Sequence, residues 1–355
     1  EMLKALPVQL IPTSDGVILK RGCTEFRIRG EGASEAVQRI LWMTARGART
    51  RRELCEQFAL PSRSAVEQLH DLLLARRILV SADGKEIHSG PESNLEIFYW
   101  HFGESVDRIN NLLNTQGIVV LGVNCISRQL VASLADSGVT DVQVVDFPLL
   151  RNLRLFDDEA ELKPEQWIPG SKPPLEFQGW IDQADSKSIT CIIVTSDFGN
   201  HDVLREWNDI CVSHGYHFFP LVLHNVIGYL GPFVVPGETA CFECLRARQD
   251  ANYGNPQRER VTESVAFEAQ TVTGFHPAMA SVLGNIGAFE VTRFYSGMLP
   301  GRQVGSLIEV NLLTSYMTTR KVLKVPRCQV CSPLNRRPAL QARKQAVRMP
   351  AEKTK

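Results

Sequence analysis

The sequence predicts an α/β protein: a doubly wound, Rossmann-type domain closed by a four-thiolate metal site and preceded by a small winged-helix-like domain. Three observations carry this. Ile118-Val119-Val120-Leu121 is a continuous apolar run, followed by a helical pattern and then Val142-Gln143-Val144-Val145-Asp146. Such runs fit strands covered on both faces of a parallel sheet. Two Cys-x-x-Cys turns stand far apart in the chain, at Cys241/Cys244 and Cys328/Cys331. The first 80 or so residues read as strands followed by three short helices.

In chain order, Val8–Pro12, Val17–Lys20 and Thr24–Gly30 are expected strands, the last alternating apolar and polar residues as a strand with one buried face does. Ala36, Val37, Ile40, Leu41 and Trp42 share a helical face ending near Gly47. Thr50 with Glu53, and Ser64 with Glu67, have the spacing of capping boxes. The second opens a helix whose apolar stripe is Val66, Leu69, Leu72 and Leu73. Residues 83–116 are read as a polar linker and a helix, with Phe98, Tyr99, Trp100 and Phe102 buried where the domains meet. From Gly117 the βαβ pattern begins; Ile189–Val194, a helix over 201–214 and Phe218–Val222 continue it in doubly wound order. Residues 151–188 read as a loop-rich insertion. The domains are therefore placed at 1–82, 83–116, 117–333 and a disordered tail over 334–355.

Composition narrows the function. In 355 residues, Lys+Arg and Asp+Glu are both 39, so no overall basic bias marks a nucleic-acid binder. Positive charge gathers in the tail, where Arg336, Arg337, Arg343, Lys344, Arg348, Lys353 and Lys355 face Glu352 alone. No apolar run is long enough to span a membrane and no signal-peptide pattern opens the sequence, which gives the expectation of a cytoplasmic protein without a membrane partner. Nine cysteines in a reducing compartment are read first as metal ligands.

Each Cys-x-x-Cys turn brings two sulfurs to one metal, so Cys241, Cys244, Cys328 and Cys331 make a closed tetrahedral set suited to structural Zn²⁺. No ligand position is left open for catalysis. A phosphate-binding turn after the first buried strand would carry G-x-G-x-x-G, where bare backbone can approach an anion at a helix N-terminus. Here the turn reads Gly122-Val123-Asn124-Cys125-Ile126-Ser127, and only the first glycine remains. Asp146 ends the second strand, where an acid would hold a ribose. Asp197, in Thr195-Ser196-Asp197, stands where it could hold Mg²⁺ beside ATP, or serve as a loop acid or helix cap. Gly122, Asn124, Asp146 and Asp197 are read together as a vestigial nucleotide site, with no catalytic residue assigned and ATP not expected to bind. In the N-terminal module, the strand edge at Thr24–Gly30 and the groove against helix 64–77 could take an extended peptide as an added strand. Arg27, Arg29, Arg63, Arg76 and Arg77 would favour an acidic one. A solvated basic face on a self-contained domain accounts for the same residues.

In order, Val119-Val120-Leu121-Gly122 to Gly138-Val139, Val144–Phe147, Asn152-Leu153-Arg154, Thr195-Ser196-Asp197, the two Cys-x-x-Cys turns and a late helix near His276–Phe294 resemble the ThiF/MoeB-type E1 enzymes over about 117–333. The N-terminal 80 residues resemble the PqqD-like RiPP recognition element. The combination is similar to the ocin-ThiF, E1-like partner proteins of azoline-forming (TOMM, thiopeptide-type) cyclodehydratases. That resemblance implies a bacterial protein that binds a precursor's leader peptide beside Thr24, Phe26, Arg27, Ile28 and Arg29, in a groove with Val66, Leu69, Leu73 and Arg76. It implies presentation of the core to a YcaO-type partner that uses ATP, and a homodimer. The sequence departs from active E1 enzymes at Asn124, Ser127, Pro148 and around Asn152, which favours a scaffold. An ATP-dependent E1-like enzyme that adenylates a peptide, and a winged-helix DNA-binding regulator, are the rival readings.

Overall fold

The computed structural model describes residues 2–82, 93–183, 185–252, 254–258, 261, 274–298 and 304–335. Two compact units divide the chain, Glu1–Arg108 and Ile109–Lys355.

The first unit holds β1 (Met2–Ala5), β2 (Gln9–Thr13), β3 (Gly16–Arg21), β4 (Thr24–Arg29), α1 (Ala33–Arg46), β5 (Arg49–Thr50), α2 (Arg51–Glu56), α3 (Arg63–Ala75), β6 (Leu79–Ser81) and α4 (Asn94–His101). Strands β2-β3-β4 form one antiparallel sheet and β5-β1-β6 another. Val17 and Leu19 of β3 are buried against Val37 and Ile40 of α1 and Val66, Leu69 and Leu73 of α3. The capping box at Thr50 forms as expected, with Glu53 N–H donating to Thr50 Oγ1 and Thr50 N–H to Glu53. The expected box at Ser64 does not: the backbone is already helical at Ser62, after the turn Leu60–Ser62, so Ser64 falls inside the first turn of α3. Trp42 lies outside the buried stripe of α1 and is 55% exposed, with the Arg46 guanidinium over its ring. The aromatic helix is two helices, α4 and α5 (Val106–Asn114), parted at Gly103, where φ is +82°. Trp100 is buried and donates its indole N–H to Arg77 O, while Phe98 is partly exposed.

The second unit carries an eight-stranded sheet in the order β14-β13-β12-β11-β10-β7-β8-β9. Its parallel part is β7 (Ile118–Leu121), β8 (Val142–Asp146), β9 (Leu175–Glu176), β10 (Cys191–Ser196) and β11 (His217–His224). Antiparallel β12 (Ile227–Leu230), β13 (Ser306–Asn311) and β14 (Tyr316–Lys321) extend it. Helices α6 (Cys125–Asp136), α7 (Phe177–Gln183), α8 (His201–His214), α9 (Phe242–Asn252) and α10 (Pro277–Ser296) complete the unit. All four residues of β7 and all six of β10 are buried, as the apolar runs require of central strands. The order reverses about β7: β8 lies on one side and β10 on the other, which makes a crevice at the C-terminal ends of these strands. The insertion at 151–188 is loop-rich yet contributes β9 and α7, whose Trp180 is buried against the core. Among the described residues, no helix is long and apolar enough to cross a membrane. The tail from 336 and linker positions 83–92 lie outside the described residues.

Candidate functional site

The two Cys-x-x-Cys turns meet. Cys241 precedes α9 and Cys244 sits in its first turn, while Cys328 and Cys331 lie on the loop after β14. The four sulfurs all lie within 4.8 Å of one another. Cys241–Cys244 is 3.9 Å, Cys241–Cys328 3.6 Å and Cys244–Cys331 3.4 Å. A disulfide needs about 2.05 Å, so these are not bonded pairs. Four thiolates about 2.3 Å from one ion would stand close to these separations from each other, so the set can hold a metal such as zinc. The surrounding shell is ordered: Val325 N–H donates to Cys244 Sγ at 3.3 Å, and Arg248 of α9 donates to Leu323 O at 2.8 Å. The neighbouring thiols, Cys241 first, and the Val325 N–H hold the Cys244 thiol well below its ordinary range. Val322, Val325 and Val330 pack into the same core as the cysteines, which places the loop after β14 against that core.

At the crevice, the sequence and its departures from a phosphate turn have a specific geometry. Gly122 has φ +104°, and a Cβ there would stand 2.8 Å from Thr195 O and 2.9 Å from Leu150 Cβ. Gly122→Ala is expected to cost about 2–4 kcal/mol through strain and backbone displacement, lowering the midpoint of thermal unfolding by roughly 5–10 °C. An unchanged midpoint would show that this turn is not the tight element described.

Asn124 caps α6. Its Oδ1 accepts from Ile126 N–H and Ser127 N–H, each at 3.1 Å. Its Nδ2 donates to Leu150 O, Thr195 O and Thr195 Oγ1 at 2.9–3.2 Å. Ser127 completes a capping box by accepting Asn124 N–H at 3.0 Å. The remaining first-turn donor, Cys125 N–H, goes to Asp197 Oδ2 at 3.0 Å, and Asn152 Nδ2 donates to the same oxygen at 2.9 Å. Asp197 is fully buried, and its Oδ1 has no hydrogen-bond partner. Burial pushes its carboxyl above the usual range, against the hydrogen bonds from Asn152 and Cys125. A carboxyl raised on folding stabilises the fold most below about pH 4 and contributes progressively less as pH rises through its folded value. Burial, then the Asp197 charge, pushes the Cys125 thiol up to about 12. Asp146, at the end of β8, is tied to Arg151 Nε at 2.8 Å, and the Arg151 guanidinium lies over Phe156. The structure thus brings Gly122, Asn124 and Asp197 together and shows Asn152 and Arg151 as partners that the residue reading did not assign. Asn152 stood in the Asn-Leu-Arg run; its link to Asp197 depends on tertiary structure.

In the first unit, β4 is an edge strand, paired with β3 alone among the described residues. Thr24, Phe26 and Ile28 are half-buried on one face; Arg27 and Arg29 are exposed on the other and both pair with Asp15. The Arg76 guanidinium carbon stands 5.8 Å from the Phe26 ring centroid, which links the end of α3 to β4. Val66, Leu69 and Leu73 lie in the core, whereas Leu72, one turn before Arg76, is 36% exposed.

No protein-family model and no curated protein matches the sequence. Solved structures do match. E. coli MccB aligns with a TM-score of 0.62 at 16% identity, over 94% of this chain and 97% of that one. MccB in complex with N-formylated MccA aligns at 0.65 and 15%, over 94% and 100%. The heterocyclase TruD aligns at 0.61 and 16%, over 93% of this chain but 43% of its own. At such identities the likeness is one of fold: the chain has the mixed α/β, E1-like Rossmann-type fold that MccB has along nearly its whole length.

Proposed function

We propose that this chain is a leader-peptide-binding scaffold of ribosomal peptide modification. Its first unit acts as a winged-helix RiPP recognition element, and its second as a zinc-clipped E1-like body that has given up nucleotide chemistry. It would hand the precursor to a YcaO-type cyclodehydratase that forms thiazolines or oxazolines. The observation that carries the scaffold reading is the filled crevice: the first amides of α6 are bound by Asn124 and Asp197, and Asp146 by Arg151. A triphosphate would have to displace a buried carboxylate and break its bonds. The open β4 edge supplies the peptide side, with Phe26, Ile28, Leu72 and Arg76 as contact surface. Val66, Leu69 and Leu73 act behind it by holding α3 on the sheet. The fold likeness to MccB, solved with MccA, and to a heterocyclase solved with substrate and cofactor agrees with peptide work.

The four sulfurs fit a resident Zn²⁺, which would supply cross-linking of α9 to the loop after β14; the closed thiolate set assigns it no part in catalysis. The rival adenylating reading draws on MccB solved with AMPCPP and on the presence of Asp146 and Asp197. Fluorescence polarisation with a labelled leader separates the two. Saturable leader binding that is indifferent to ATP·Mg²⁺ is expected, with no heat of ATP binding by calorimetry. Peptide-dependent pyrophosphate release by the purified chain would decide for the adenylating enzyme.

A further inference from the structure

The N-terminus of a twelve-residue helix, set at the crevice of a doubly wound sheet, is an anion-binding element. In this chain its needs are met from within. Asn124 neutralises two amides, but as a dipole. The third amide, Cys125 N–H, meets a whole carboxylate, brought 72 positions along the chain from the end of β10. Asn152 Nδ2 clamps the same oxygen from a third segment. The charges of Arg128 and Arg154 also act at Cys125, against the larger effects of burial and the Asp197 charge. Asp197 is 0% exposed, and its other oxygen finds no donor. A carboxyl placed merely to cap a helix would be half-solvated; this one is fully buried, and the Cys125 N–H and Asn152 Nδ2 favour its charged form against the cost of that burial.

We propose that the N-terminus of α6 is an anion site whose permanent ligand is the chain's own Asp197 carboxylate, standing where a phosphate group would otherwise be held. The carboxylate ties β10, α6 and the Asn152 turn together, so this end of the sheet assembles without nucleotide. The proposal rests on the nucleotide-free part of the reading above and not on leader binding. Its corollary is a latent phosphate site: removing Asp197 leaves Cys125 N–H and Asn152 Nδ2 facing an empty position.

The test uses the full metal-loaded chain, inorganic phosphate as probe, and iodoacetamide alkylation of Cys125 followed by peptide mapping, since this thiol is partly exposed and adjoins the site. In the wild type, alkylation is slow and phosphate leaves it unchanged. In Asp197→Ala the thiol loses a negative neighbour, and its alkylation rises about tenfold or more. Phosphate at about 20 mM then slows it roughly fivefold, as a millimolar Kd predicts, and raises the unfolding midpoint of this variant alone. Should Asp197→Ala fail to unfold cooperatively, Asp197→Ser, which also vacates the carboxyl's position, must show the same phosphate protection. Protection of Cys125 in the wild type would mean the site is open. A folded variant whose Cys125 ignores phosphate would mean the carboxylate is not a surrogate. Either result overturns the proposal. Leader binding by Asp197→Ala stays at the wild-type level; its loss with phosphate protection intact would count against the scaffold reading and leave the anion site standing.

Discussion

Stripping the metal from the four-cysteine cluster is expected to produce the largest loss of stability available in this chain. The argument begins with burial. Cys241 and Cys244 are fully buried and Cys328 nearly so, in a core shared with Val322, Val325 and Val330. After β14 the chain enters no further strand or α-helix among the described residues, so the loop bearing Cys328 and Cys331 is held by few backbone bonds of its own. Metal binding supplies about 10–16 kcal/mol in small zinc peptides, where the whole fold depends on it. A clip joining segments of an already folded sheet retains part of that, about 3–5 kcal/mol, which corresponds to roughly 10 °C or more in a unit of this size. Purified protein should carry one zinc per chain by elemental analysis. Chelation, or Cys328→Ser, should lower the midpoint by that amount, while exposed Cys23→Ser leaves it alone. Metal-free protein unfolding at the same temperature would remove the clip from the account.

Much of this architecture was legible because burial and spacing leave local marks. The runs at 118–121 and 142–146 and the helix over 201–214 appear in the structure as read, and the two cysteine pairs come together in a set that could hold a metal. Elements defined by their neighbours were not legible. β9 has two residues and exists through its pairing with β8, and β12-β13-β14 gain their place by antiparallel extension of the sheet. Trp42 was misplaced because a helical stripe drawn from spacing alone is broad, and its edge residue can turn outward to meet Arg46. At the crevice the same division holds. The loss of glycines at Asn124 and Ser127 is plain in the sequence, but that their side chains, with Asp197, fill the vacancy depends on atoms up to 72 positions apart.

Substitution of the β4 edge should weaken leader binding strongly with little cost to the fold, and two variants divide the edge's contributions. Gly30 N–H donates to Asp15 O at 3.0 Å, and the register pairs Val17 with Ile28 and Leu19 with Phe26. Antiparallel alternation then turns the main-chain groups of Thr24, Phe26 and Ile28 toward β3 and those of Glu25, Arg27 and Arg29 toward the open edge. An added strand would bond to the second set by main chain and press its side chains on Phe26 and Ile28. Phe26→Asp puts a charge on that half-buried face and should weaken leader binding about 100-fold, a central contact's share. Arg27→Pro removes one outward donor while sparing the β3 ladder, since proline is tolerated on an edge strand whose N–H faces away. A lost main-chain bond of about 1.5 kcal/mol predicts roughly tenfold weaker binding with a nearly unchanged unfolding midpoint. Arg27→Ala separates charge from backbone: with Asp15 already pairing Arg27, it should cost only a few-fold. Leader affinity that ignores both Phe26→Asp and Arg27→Pro would place the peptide elsewhere, because strand addition at β4 needs that face and that donor together.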